Sequence, residues 1–89
     1  MDTLAAYEGS TEAGRMEGEG VYTYEDGTKY VGQFKNGNFH GQGTLIFTDG
    51  KVDEGEWKKG KRHGIGTLSY PDGGIRKGIW SNNKLKKQQ

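Results

Sequence analysis

The stretch YVGQFKNGNFHGQGTLIFTDG, Tyr30–Gly50, puts five glycines among aromatic and aliphatic residues, at positions where a strand would ordinarily place side chains. Two of its dipeptides are turn signals. Asn36-Gly37 suits a two-residue type I′ hairpin, which needs positive φ at both central positions. Asp49-Gly50 suits a longer turn with glycine in the left-handed conformation. The segment reads as a hairpin whose strands carry too much glycine for an isolated strand pair.

Sliding the chain against itself explains the glycines. It repeats without insertion at a constant 23-residue period, from Tyr7, Tyr30, Asp53 and, in truncated form, Arg76. Sixteen of the 17 glycines fall into five columns, and only Gly74 is out of frame. A flexible linker scatters its glycines, whereas a repeat architecture places them. The expected fold is therefore all-β: an elongated, twisted, single-layer antiparallel sheet of consecutive β-hairpins.

The rest of the composition excludes more than it identifies. Eighty-nine residues suggest one domain, with 29% hydrophobic and 28% charged residues. Thirteen basic against 12 acidic side chains leave a net charge of +1, so no global field favours nucleic acid. The absence of cysteine removes disulfides and thiolate chemistry. No apolar run reaches membrane-spanning length and no leader pattern opens the chain, so a soluble cytoplasmic protein is expected. The expected organisation is an N-terminal extension over residues 1–6, repeats at 7–29, 30–52, 53–75 and a partial 76–83, and a basic polar tail at 84–89.

Closing Asn36-Gly37 as a two-residue loop puts Phe34 opposite Phe39, Gly32 opposite Gly41 and Tyr30 opposite Gly43. Alternation then places Tyr30, Phe34, Phe39, Leu45 and Phe47 on one face. Carried into the other repeats, the same slots add Tyr7, Tyr22, Tyr24, Trp57, Leu68, Tyr70 and Trp80, so that all ten aromatics share a side. The other face carries Val31, Gln33, Lys35, Asn38, His40, Gln42, Thr44, Ile46 and Thr48. A three-residue loop at Asp49-Gly50-Lys51 puts Gly43 between Tyr30 and Trp57, each ring covering bare backbone in the manner of aromatic rescue.

The pattern resembles the MORN repeat (membrane occupation and recognition nexus): Tyr-x-Gly-x-Trp/Phe, then Gly-x-Gly, then Asp-Gly. The resemblance covers residues 7–83 and carries over onto Tyr7, Tyr30, Phe34, Trp57, Trp80 and the column glycines. It implies a sheet of hairpins with a groove lined by the repeat aromatics, and protein-binding or scaffolding roles in axonemal and cytoskeletal assemblies. GRMEGEGVYTYEDGTKYVG, in particular, is similar to small ciliary and sperm-flagellar members. Four positions depart from the pattern. Asp53 and Arg76 stand in the tyrosine slot, Thr11 stands where Phe34, Trp57 and Trp80 do, and Asn83 replaces the last turn glycine.

These readings give a non-enzymatic scaffold without cofactor or metal, located on the cytoskeleton and in a cilium or flagellum axoneme. It would dock an extended or helical segment of a protein partner against Tyr7, Tyr24, Tyr30, Phe34, Leu45, Phe47, Trp57, Leu68, Tyr70 and Trp80. The turn and groove glycines are Gly32, Gly37, Gly41, Gly43, Gly50, Gly55, Gly64 and Gly66. The alternative is a peripheral membrane or phosphoinositide-binding module working through Lys58, Lys59, Lys61, Arg62, Lys84, Lys86 and Lys87. The two sheet edges would also permit end-to-end self-association. His40 and His63 share one slot, but no carboxylate cluster completes a metal site.

Overall fold

A computed structural model describes residues 6–88. It contains eight strands: β1 (Ala6–Glu12), β2 (Arg15–Thr23), β3 (Lys29–Lys35), β4 (Asn38–Ile46), β5 (Val52–Lys58), β6 (Lys61–Ser69), β7 (Ile75–Ser81) and β8 (Lys84–Gln88). They form one antiparallel sheet in sequence order, open at β1 and β8, with principal extents of 39 × 25 × 20 Å. No helix occurs among the described residues. The expected meander of hairpins is what forms. Of the extension expected over residues 1–6, only Ala6 is among the described residues, and it opens β1. The tail expected from residue 84 is, as far as Gln88, a strand paired to β7, because ladder hydrogen bonds ask for backbone and not for apolar side chains.

The two turn chemistries alternate along the meander. Asn36 and Gly37 both have positive φ, 51° and 81°, and close β3 onto β4 as a two-residue loop with Lys35 paired to Asn38. The Asp-Gly turns are three-residue loops. The Phe47 N–H donates to the Lys51 carbonyl and the Gly50 N–H to the Phe47 carbonyl, at 2.9 and 3.1 Å. The Asp49 carboxylate accepts from the Lys51 N–H at 3.0 Å, which holds it below the usual carboxylate range. The loop is thus 48–50, one residue earlier than the expected Asp49-Gly50-Lys51. As a result Trp57 lies opposite Gly41, and Gly43 lies opposite Gly55.

The expected pairing within the second repeat also needs correction. Phe34 does face Phe39, but Gly32 pairs with Gly43 and Tyr30 with Leu45, not with Gly41 and Gly43. Three residues of β4, His40 to Gln42, bulge out opposite the single residue Gln33. Gly41 sits at the centre of the bulge with φ of 68°, a left-handed conformation that glycine adopts without penalty. The Gln33 side chain lies against it and its Oε1 accepts from the Gln42 N–H at 2.8 Å. The next repeat does the same with Gly64, the Glu56 Oε1 accepting from the Ile65 N–H at 3.1 Å. The bulge moves the register by two residues, so every side chain keeps its expected face.

With that shift, one glycine from each of seven strands falls into a single row across the sheet: Gly9, Gly20, Gly32, Gly43, Gly55, Gly66 and Gly78. Neighbours along the row approach too closely for side chains. A Cβ built on Gly9 or Gly55 would lie 2.6 Å from the Cα of the glycine opposite, and one on Gly32 would meet the backbone of Gly43 and Gln42. No rotamer change relieves a backbone contact. Gly32→Ala is therefore expected to lower stability by about 2–3 kcal/mol in urea unfolding, whereas Gly37→Asn, in open space at a left-handed turn position, should change it by less than about 0.5 kcal/mol.

Candidate aromatic face and hairpin-tip surface

The rings on one face of the sheet pack on the glycine row. The Tyr30 ring lies over Gly43, filling the space a side chain would take, and Tyr7 lies over Gly20 in the same way. Each hydroxyl then donates to a carbonyl three residues on, Tyr7 to Ser10 at 2.6 Å and Tyr30 to Gln33 at 2.9 Å. Burial pushes the Tyr30 hydroxyl up to about 12, so it remains a donor. The Trp57 indole N–H donates to the Gly43 carbonyl at 3.1 Å, so Gly43 is indeed held between Tyr30 and Trp57, by ring cover and hydrogen bond.

Rings from successive repeats interlock edge to face. Tyr7 meets Phe34 at 5.1 Å, and one repeat later Tyr30 meets Trp57 at 5.6 Å. Phe39 stacks flat on Tyr30 at 3.8 Å. Tyr30, Phe34 and Trp57 are the buried centre, with Tyr7, Met16, Tyr22, Phe39 and Leu45 packed around it. A single-layer sheet thus builds a core on one side without a second layer.

This spacing and geometry settle the family. Residues 7–29, 30–52 and 54–75 each match the MORN repeat. The chain belongs to the MORN repeat family. No curated protein sequence matches it. MORN repeats are commonly protein- or membrane-binding modules, and theirs is a binding and scaffold family, not an enzyme family. Among the described residues no three His, Cys, Asp or Glu side chains gather as a metal set.

The groove residues named from the sequence divide by burial. Tyr30, Phe34, Trp57 and Trp80 are buried by the chain itself. Tyr7, Leu45, Phe47, Leu68 and Tyr70 are half-buried, and Tyr24 is 37% exposed. A cleft of about 230 Å³ opens among Met16, Tyr22, Tyr24 and Phe39, beside the hairpin tips at Gly37 and Gly60. A second, of about 290 Å³, lies among Tyr24, Thr28, Leu45 and Phe47. The repeat pattern does not mark Met16, Tyr22 and Phe39 as site residues. The signal for them is the turn, which brings the tip of the second hairpin beside Met16: the Gly37 N–H donates to the Met16 carbonyl at 3.0 Å.

The residues considered for lipid contact also divide. Lys58, Lys59, Lys61, Lys84 and Lys86 are exposed, while Lys87 has its side chain outside those described. Arg62 lies on the ring face opposite Trp57. Its guanidinium is 2.7 Å from the Asp53 carboxylate and 4.3 Å over the Trp80 ring. Asp53 and Arg62 stand one full repeat after Tyr30 and Phe39, so the stacked aromatic pair of one repeat becomes an ion pair in the next. Asp53 is 1% exposed. Burial pushes its carboxyl above the usual carboxylate range, with Arg62 pulling the other way. The contact is a charge pair without an aligned N–H, and Trp80 Nε1, the counterpart of the satisfied Trp57 Nε1, also lacks a partner among the described residues.

A buried ion pair of this kind returns less than its desolvation takes away. Asp53→Tyr/Arg62→Phe, which restores the preceding repeat's stack, is expected to raise stability by about 1–2 kcal/mol at neutral pH, and Arg62→Phe alone to lower it by about 3 kcal/mol. A carboxyl with a raised folded-state pKa binds its proton more tightly when folded, so it destabilises the fold progressively as pH rises through that value. The advantage of the double variant over the native chain should therefore shrink as urea unfolding is moved from neutral towards acid pH.

Proposed function

We propose that this MORN protein is a non-enzymatic binding scaffold that holds an extended or helical segment of a protein partner on its aromatic face. The cytoskeletal setting, ciliary or axonemal, is the one its resemblance implies. The observation that carries the proposal is the rim formed by Tyr22, Tyr24 and Phe39. Tyr24 stays more than one-third exposed while its ring is fixed edge to face against Tyr22 at 5.0 Å and Phe39 at 6.5 Å. Phe39 in turn stacks on the buried Tyr30.

An aromatic rim locked from below binds with little loss of side-chain freedom, which is one of the terms that oppose association. Aromatic residues at the centre of an interface also contribute most per residue. The floor of Tyr30, Phe34 and Trp57 holds the rim in place, and the partner meets the rim. A strand or helix laid along the clefts at Tyr24 would contact Met16 and Tyr22 on one side and Leu45 and Phe47 on the other.

Photo-crosslinking from this rim tests the proposal. With benzoylphenylalanine at position 24, irradiation in cells is expected to give discrete protein adducts, and Phe47→Ser in the same chain to reduce them severalfold while the thermal transition persists. Adducts from position 31 on the opposite face, with none from position 24, would overturn the proposal.

A further inference from the structure

The hairpin tips carry a second surface, on the side away from the rings. The tips of the two-residue loops stack along one margin of the sheet. The Gly60 N–H donates to the Phe39 carbonyl at 3.0 Å, and the Asn83 N–H to the Arg62 carbonyl at 3.2 Å. Arg62 N–H donates to Asn83 Oδ1 at 2.8 Å, which ties the last two tips together. Beside these tips the same cleft occurs twice. Lys35, Asn36, Asn38, His40 and Lys59 line one of about 370 Å³. One repeat further on, the equivalent positions give five of the six residues lining the next, of about 400 Å³, with Lys58, Lys61 and His63 among them. His40 and His63 meet in a third cleft between the two.

The row is cationic only from the second repeat onward. The equivalent positions of the first repeat are Glu12, Ala13, Arg15 and Glu17, two carboxylates and one guanidinium. Lys35, Lys58, Lys59 and Lys61 are exposed, and no ion pair holds any of them among the described residues. Further into the same face the charge reverses: Glu19 pairs with Gln33, Glu54 with Thr44 and Glu56 with Gln42. A flat anionic surface spread over this face would meet those carboxylates. A narrow anionic chain following the tips passes only Glu17, whose carboxylate accepts from the Asn36 N–H at 2.7 Å, and Glu56, which lines the cleft between the two, and it meets the four exposed lysines Lys35, Lys58, Lys59 and Lys61.

We infer that the hairpin-tip clefts at Lys35, Lys59 and Lys61 bind an acidic, unstructured segment of a partner polypeptide, laid across the strands. Equivalent clefts lie two strands apart, roughly 10 Å. An extended or polyproline-like chain covers that distance in about three residues, so carboxylates recurring along it meet successive clefts. The aromatic face is not needed for this contact, and Lys58, Lys59 and Lys61 serve a peptide here instead of a lipid headgroup.

Titration of the intact chain with fluorescein-labelled octaglutamate, followed by anisotropy, tests the inference, with octaglutamine and phosphatidylserine vesicles as parallel probes. Octaglutamate is expected to bind in a salt-sensitive manner and octaglutamine not at all. Lys35→Gln/Lys59→Gln/Lys61→Gln should weaken binding about tenfold, and Lys29→Gln/Lys51→Gln/Lys77→Gln, with the same change of net charge, less than about twofold. Three results would overturn it: no octaglutamate binding, equal loss in both triple variants, or vesicle binding through the tip lysines without peptide binding. All the substituted lysines are exposed except the half-buried Lys51, which pairs with Asp49, and a retained thermal transition confirms that each variant is folded.

Discussion

The structure depends on aromatic rings lying directly on bare backbone. A row of glycines crosses seven strands, and the tyrosines of the repeat rest on it with their hydroxyls fixed to carbonyls three residues along. Glycine is ordinarily unfavourable in a strand because it orders more backbone and packs nothing. Here its missing side chain is the space that the ring occupies. The same contact sets the spacing of the interlock, so that Tyr7 reaches Phe34 and Tyr30 reaches Trp57 across the boundary between repeats. A chain with few apolar residues thereby obtains a continuous core from one face of one sheet, and the partly exposed rings at its margin are held rigid by those beneath.

The third repeat shows what the arrangement tolerates. Asp53 and Arg62 occupy the slots of a stacked tyrosine and phenylalanine, and they keep the cross-strand contact while replacing dispersion with charge. The short carboxylate cannot cover the next glycine, and it is the Trp80 indole that lies 3.3 Å from where a side chain on Gly66 would begin. Its N–H has no partner there among the described residues, whereas the Trp57 N–H has one. The ring face thus changes character along the sheet, from aromatic around the second repeat to a mixture of rings and a charge pair in the third.

Much of this was legible in the residues. The constant repeat period, the Asn-Gly and Asp-Gly turns and the gathering of the rings on one face follow from turn chemistry and alternation, and the sheet has them. The register was not legible. Gly41 and Gly43 look equivalent in a Gly-x-Gly pair, yet Gly41 serves a bulge that receives the Gln33 side chain while Gly43 lies beneath a ring. A shift of two residues preserves every face, so alternation alone could not detect it. The Asp53–Arg62 pair was hidden because each residue stands in its own column, one as a departure and the other as a surface cation. Only a cross-strand neighbourhood joins the two columns. The division of the aromatics into buried floor and exposed rim likewise depends on how far each ring is overlapped by the next repeat.

The glycine-ring contact is tested most directly by a double-mutant cycle on Tyr30 and Gly43, with all four proteins unfolded in urea in the presence of trimethylamine N-oxide to keep the weakest of them folded. If the ring occupies the space above Gly43, a methyl group there is strongly destabilising beside Tyr30 and nearly neutral once Tyr30 is alanine, giving a coupling free energy of about 1–3 kcal/mol. Additive effects of Gly43→Ala and Tyr30→Ala would contradict the account.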